Sequence, residues 1–161
     1  MSETTKEPTS QSRTNQLSFF VKQKIKWISS ISRESQMKAT LANLRRGVGK
    51  VPGELPELWG TLFQNFPEEL NEKASETEPS KVEWAAYLSL TLYALHQQGH
   101  DIVTANMNSD GVGIGTAVRR LVPDGEEAES SSAFRRFQTL ATSSDIKELS
   151  HHLRGIIQLL S

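Results

Sequence analysis

Apolar side chains recur at helical spacing through most of this chain, and no segment shows the alternation of a half-buried β-strand. Within the range 82–98, one apolar stripe repeats every three to four positions: Trp84, Ala85, Leu88, Leu92 and Leu95. Further apolar residues widen this stripe around the helix, which is typical of a helix buried at the centre of a fold. The spacing therefore predicts an all-α protein.

The last helix is predicted with similar clarity. Asp145 is a typical N-cap residue, and the apolar residues after it keep to one face: Ile146, Leu149, Leu153, Ile156, Ile157 and Leu160. Lys147, His151 and Arg154 share the outer side of this helix. Because the apolar pattern is still strong at Leu160, we expect the natural protein to continue beyond residue 161 and its second bundle to be truncated here.

The remaining pattern predicts about seven helices in two small packed bundles. Besides the two above, helices are expected over 17–31, from an N-cap at Ser32 to the glycines Gly47 and Gly49, and over 54–66, 114–122 and 132–142. The two glycines are expected to end their helix through the left-handed conformation. Residues 1–16 are predicted to be a disordered tail, residues 17–98 an N-terminal bundle, and residues 99–161 a C-terminal bundle.

Charge is distributed unevenly, although the net charge is only −1. The range 17–50 holds eight Lys or Arg and one acid, a balance of 8 − 1 = +7. The range 51–80 holds seven acids and one lysine, a balance of 1 − 7 = −6. This asymmetry indicates an electropositive surface beside an acidic loop. Acidic loops are predicted at 67–80 and at 124–129. The alternative is a solvated helix face followed by a solvated linker.

Several classes of function are excluded or lack support. The chain has no cysteine, which excludes disulfides and thiol catalysis. The N-terminus has no apolar run of the kind found in a signal peptide, and no apolar run is long enough to span a membrane. We therefore expect a cytoplasmic location and no association with membranes. The glycine-rich range 110–115 lacks the preceding strand and the Lys-Ser/Thr pair of a phosphate loop. His96 and His100 are separated by Gly99, and no catalytic triad is visible. We therefore expect no enzyme, no metal, no cofactor and no small-molecule substrate.

Binding to nucleic-acid backbone needs long cationic side chains on a shared face and no sequence motif. Several of the candidate cations lie in pairs at helix ends or on predicted outer faces. The full set is Lys22, Lys24, Lys26, Lys38, Arg45, Arg46, Lys50, Arg119, Arg120, Arg135, Arg136, Lys147 and Arg154. Arginine adds a planar fork that suits phosphate oxygens. Their spacing is compatible with a groove that follows a nucleic-acid backbone.

Four blocks of sequence carry a resemblance to one family. The range 44–59, LRRGVGKVPGELPELW, resembles the block of the CasB family in which LRRG is followed by proline and an aromatic residue. The ranges 87–97, 115–121 and 132–160 resemble its buried helix, its G-x-A-x-R-x-L segment and its ERRF-to-LL ending. CasB is the small subunit of Cascade, the type I-E CRISPR surveillance complex. The resemblance covers about residues 17–161.

The resemblance implies an all-helical, non-catalytic subunit that acts in antiviral defence. It implies contacts with other Cascade subunits and with a second copy of the chain, and binding to the backbone of the guide RNA–target DNA heteroduplex and of the displaced strand. By resemblance this role falls on Arg45, Arg46, Arg119, Arg135, Arg136 and Arg154. The charge distribution adds Lys22, Lys26 and Lys50. The range 141–145 departs from the family, which often has basic residues there.

A helical adaptor whose charged surfaces contact only protein remains the alternative hypothesis. One positive face that joins Arg45 and Arg46 with Arg135 and Arg136 favours nucleic acid, whereas scattered charges favour the adaptor. The adaptor hypothesis also predicts no salt-dependent binding to nucleic acid.

Overall fold

A computed structural model describes residues 9–71 and 78–161, and within these ranges the chain is helical, without a β-strand. Its α-helices are α1 (Ser10–Ser29), α2 (Glu34–Arg46), α3 (Pro56–Phe63), α4 (Lys81–His96), α5 (Ile114–Arg119), α6 (Ser132–Ala141) and α7 (Ile146–Leu160). Two short 3₁₀ turns lie at Glu68–Leu70 and Ala128–Ser130. The prediction of an all-α protein with about seven helices is confirmed.

The first helix begins earlier than the apolar pattern indicated. It starts at Ser10 instead of Leu17, because the Thr9 side chain accepts a hydrogen bond from the Ser12 backbone N–H and caps the helix. Of the predicted disordered tail 1–16, residues 1–8 lie outside the described residues, and the remainder from Ser10 is helical. This part of α1 is mostly solvent-exposed and has a polar composition, so the sequence did not predict that it is helical.

Other helix ends also differ from the predictions. The N-cap of α2 is Arg33 instead of Ser32, and it makes no side-chain capping bond. The third helix is shorter than the predicted range 54–66 because Pro56 occupies its first turn and Asn65, beyond its end, has φ 61°. The predicted acidic loop 67–80 contains the 3₁₀ turn, while its residues 72–77 lie outside the described residues.

The largest cluster of buried side chains joins the first four helices. Ile28 of α1, Leu44 of α2 and Leu58 of α3 are almost fully buried against Tyr87 and Leu90 of α4. Helix α4 is buried on most of its circumference, as its sequence predicted. It begins at a capping box, in which Ser80 and Glu83 satisfy each other's backbone N–H groups.

A second cluster joins the last three helices, and a third connects the two halves of the chain. Val118 of α5, Leu140 of α6 and Ile156 of α7 form the second cluster. In the third, Leu92 of α4 packs with Leu153 of α7 and their neighbours. Helices α4 and α7 therefore form the seam between an N-terminal and a C-terminal group of helices. The predicted domain boundary after residue 98 stays a prediction.

Candidate nucleic-acid interface

The turn that follows α2 is held against α4 by a tyrosine. The Tyr87 hydroxyl donates a hydrogen bond of 2.9 Å to the Gly47 carbonyl, and both residues are buried. A β-carbon on Gly47 would lie 2.7 Å from this hydroxyl oxygen and 2.9 Å from Leu58. Gly47 has φ −74°, so it does not adopt the left-handed backbone that we expected. A glycine is required here because there is no room for a side chain. Gly49 does adopt the left-handed backbone, with φ 82°.

Arg45 precedes this turn and reaches back to α4. The side chain is half-buried, and its Nη1 donates a hydrogen bond of 3.4 Å to the Ala94 carbonyl in the last helical turn of α4. A cation at a helix C-terminus is stabilised by the helix dipole. Arg45 therefore has a structural contact within the chain, whatever else it binds.

Arg46 and Lys50 extend into solvent from the same turn. Arg46 pairs with Glu57 at 3.0 Å, and Lys50 pairs with Glu54 at 2.7 Å. Exposed ion pairs of this kind contribute only about 0–1 kcal/mol to stability. A phosphate group can therefore replace either carboxylate at small cost.

Helix α7 brings another arginine to this turn. Lys147, His151 and Arg154 are exposed along one side of α7, as predicted. The Arg154 Nη1 lies 3.5 Å from the position that a β-carbon on Gly49 would occupy. Arg154 is thus next to the turn that contains Lys50, and the seam places a basic residue of the C-terminal helices beside the basic end of α2.

The paired arginines of α6 are exposed, and α6 itself is in contact with α5. Arg135 and Arg136 point to solvent, as does Arg119 of α5, and none of the three pairs with a carboxylate in the described part of the chain. The two helices are in contact where Gly115 of α5 faces Phe137 of α6. A β-carbon added to Gly115 would lie 3.6 Å from the ring of Phe137. Because Arg119 lies one turn after Gly115, it belongs to the edge of α5 that borders α6.

The predicted lysines of α1 form a separate group. Lys22 pairs with Asp110 at 2.5 Å, although both side chains are exposed. Lys26 is exposed and has no carboxylate partner within 9–71 and 78–161. This ion pair shows that α1 lies close to the loop before α5, a contact that the sequence did not predict. The structure therefore sorts the predicted cations into the seam, the α5–α6 edge and the face of α1.

Carboxylates with shifted pKa values in this region serve structural purposes. Backbone and hydroxyl hydrogen bonds from Thr104 lower the pKa of the Asp101 carboxyl, which closes a local turn. Hydrogen bonds from Ser144 lower the pKa of Glu148 at the start of α7 in the same way. Among the described residues, no three His, Asp or Glu side chains are grouped as metal ligands would be. The exposed arginines and lysines described above suit the binding of anions.

Three aromatic side chains lie at the surface: Phe19, Trp27 and Trp59 are exposed. Charged neighbours in the sequence indicate this for Trp27 and Trp59. Phe19 adjoins Phe20, which is buried.

The fold and its surface define a class, an all-helical protein with exposed basic edges and no helix, among the residues described, that is long and apolar enough to cross a membrane. A family profile described as CRISPR-associated protein Cse2 matches residues 40–161. The crystal structure of CasB from Thermobifida fusca matches with a TM-score of 0.67 and 34% sequence identity, covering 90% of this chain and 77% of that one. No curated protein matches the chain.

The chain belongs to the family of the CRISPR-associated protein Cse2, because the match spans most of its length. The resemblance to CasB in the sequence is thereby confirmed. Membership makes the chain a subunit of Cascade that acts in CRISPR defence together with other Cascade subunits.

Proposed function

We propose that this chain is the non-catalytic small subunit of a type I-E Cascade complex and that it binds nucleic-acid backbone. One observation carries the proposal: in a member of the Cse2 family, Arg119, Arg135 and Arg136 extend to solvent from adjoining helices without a carboxylate partner in the described part of the chain. Arginine forks on neighbouring helices suit consecutive phosphate groups.

The second group of contacts in the proposal lies at the turn after α2, which the seam between α4 and α7 brings close to Arg154. Arg46 and Lys50 are held only by exposed ion pairs, and Arg154 lies beside them on α7. Arg45 belongs to the proposed site through its position, while part of its hydrogen-bonding capacity is used by Ala94. Helix α7, which carries Arg154, packs against both α4 and α6, and this packing supports including both groups of cations in the proposal.

Base pairing between guide and target supplies the sequence specificity in this proposal, and the protein contacts shape and charge. The bound species are the guide RNA–target DNA heteroduplex and the displaced strand, with Lys22 and Lys26 of α1 as further contacts. A second copy of the chain and the other Cascade subunits complete the site in the cytoplasm. The small subunit needs no small-molecule substrate and no cofactor for this role.

The proposal predicts binding that weakens steeply with salt. Fluorescent single-stranded DNA, duplex DNA and RNA–DNA heteroduplex are titrated with the chain, alone and assembled with Cascade subunits, at about 50 and about 200 mM salt. The double variant R135E/R136E should lose at least about tenfold in affinity and show a shallower salt dependence. Lys38→Glu is the matched control, because Lys38 is an exposed lysine of α2 that pairs with Glu34 and lies outside the proposed site.

Two results would contradict the proposal. Affinity that does not change with salt would exclude phosphate contacts, and unchanged affinity in R135E/R136E would exclude the α5–α6 edge. Loss of assembly with other subunits, with no binding to nucleic acid in either state, would favour the adaptor that contacts only protein.

A further inference from the structure

Helix α1 exposes an aromatic face that the core does not use. Phe19 has 65% of its surface exposed and Trp27 has 43%. These residues are eight positions apart, with Gln23 midway, so all three lie along one side of the helix. Large exposed aromatic side chains close together are a common sign of a binding surface.

A pocket of about 380 Å³ opens along this face. Its helical side consists of Phe19, Gln23, Lys24 and Trp27, and its other side is the turn that contains Gln64 and Asn65. The volume falls within the usual range for pockets that hold small aromatic ligands. The φ of 61° at Asn65 shows that this turn has a defined left-handed residue.

Lys24 places a positive charge in the pocket. Only 8% of this residue is exposed, and its ammonium nitrogen lies 5.4 Å from the ring centre of Trp27 and 5.7 Å from that of Phe20. No carboxylate pairs with it in the ranges 9–71 and 78–161. Burial lowers the pKa of Lys24, and an anion in the pocket would offset this effect. The pocket therefore combines stacking surfaces with a cation that has no anionic partner among the described residues.

The rim of the pocket favours a nucleobase over an acidic peptide. Side-chain amides at Gln23, Gln64 and Asn65 each offer both hydrogen-bond donors and an acceptor. The edges of nucleobases also present donors and acceptors, whereas a carboxylate presents acceptors alone. Lys26, exposed on the adjoining side of α1, adds a cation for the phosphate that follows each base.

We propose that the α1 pocket holds an unpaired base of a single-stranded nucleic acid, stacked on Trp27 or Phe19, with its phosphate near Lys24 and Lys26. The inference rests on the proposed function and deepens it, because it gives the subunit a preference for unpaired nucleotides. Aromatic side chains that stack bases without reading their sequence are typical of single-strand binders.

The test compares an ordinary single-stranded DNA oligonucleotide with an abasic oligonucleotide of equal length, so that the backbone charge is the same. Both are titrated with the chain alone and with the reconstituted Cascade complex. The variants are Trp27→Ala and Trp27→Phe, which keeps a ring. Trp59→Ala is the matched control, because Trp59 is 42% exposed yet does not line the pocket. Thermal unfolding checks that each variant is folded.

The proposal expects tighter binding to the ordinary oligonucleotide than to the abasic one. Trp27→Ala should lose about tenfold in affinity, equal to roughly 1.4 kcal/mol, for the ordinary oligonucleotide alone. Trp27→Phe should keep most of the affinity, and Trp59→Ala should match the wild type. Variant R135E/R136E should weaken binding to both oligonucleotides equally, which separates backbone contacts from base contacts.

Equal, salt-sensitive binding to both oligonucleotides would overturn the base pocket and leave the proposed function intact. Absence of binding to either, in the chain alone and in the complex, would overturn both. If Trp27→Ala impairs assembly with Cascade subunits while oligonucleotide binding is unchanged, the pocket binds protein and the proposal is wrong.

Discussion

At the scale of single residues, the polar groups buried on α4 have defined partners. Tyr87 donates to the Gly47 carbonyl, and Tyr93 donates to the Asn106 side chain over 3.0 Å. The Thr91 hydroxyl donates to the Tyr87 carbonyl within the helix over 2.8 Å. Leaving a buried polar group without a partner costs about 1–3 kcal/mol, so each of these contacts limits how α4 can pack.

The two tyrosines of the chain provide a prediction about pH. Burial raises the pKa of both Tyr87 and Tyr93 from about 10 to about 12. Because folding keeps both phenols protonated, their stabilising effect is complete below about pH 10 and is lost as the pH rises to about 12. Ultraviolet absorbance of phenolate should therefore remain low at pH 10.5 in the folded chain, whereas both tyrosines should ionise near pH 10 in urea. Without urea at pH 10, about a quarter of the full phenolate signal would contradict the raised pKa of one tyrosine, and about half would contradict it for both.

At the scale of elements, sequence predicts a helix well when the apolar stripe and the cap agree. The Asp145 side chain accepts 2.8 Å hydrogen bonds from the Lys147 and Glu148 N–H groups, and α7 starts where the sequence predicted. The start of α1 was missed because its first turns have no apolar stripe. The turn after α2 was predicted, but the reason for its first glycine lay in the packing of two helices.

The close approach of the turn after α2 to α4 predicts an asymmetric effect of alanine. A β-carbon on Gly47 would meet Tyr87, Leu58 and Thr91 at distances below 3 Å, so Gly47→Ala should cost about 1–3 kcal/mol by overpacking. Gly155 lies within α7 and has no heavy atom within 4 Å of its β position. Gly155→Ala should therefore stabilise the chain by about 0.5–1 kcal/mol. Urea unfolding of both variants measures the difference, and equal stabilities would disprove the steric argument.

At the scale of the whole molecule, α4 and α7 connect two groups of helices. Trp84, Leu88 and Leu92 of α4 belong to the seam, while Tyr87 and Leu90 of the same helix belong to the N-terminal cluster. Because α4 contributes side chains to both clusters, loss of packing in one cluster disturbs the other. The seam also places Arg154 beside the turn after α2, so the proposed interface depends on how the two groups of helices pack.

The shared helices predict a single cooperative unfolding transition. Leu92→Ala removes a buried side chain of the seam and should cost about 2–5 kcal/mol without splitting the transition. Leu121→Ala is the matched control, because Leu121 is exposed and should change stability by less than about 0.5 kcal/mol. Urea unfolding followed by circular dichroism and by tryptophan fluorescence tests this. Two separate transitions would show that the helix groups unfold independently.

Part of the candidate site was accessible from the sequence and part was not. The exposure of Arg119, Arg135 and Arg136 follows from the apolar stripes of their own helices. The contact of Arg45 with Ala94 joins residues far apart in the chain, and no local pattern reports it. The α1 pocket was missed for the same reason, because one of its sides comes from the turn near Asn65.

The sequence by itself determined the helical class, the central position of α4 and the exposed arginines, because helical periodicity is a local property of the chain. The sequence also indicated the family, because four blocks that resemble it occur in the right order. Tertiary structure alone decided why Gly47 is a glycine and which cations lie close to the turn after α2. Each of these depends on what packs opposite a residue, and neighbours in space are set by the fold and not by adjacent letters in the sequence.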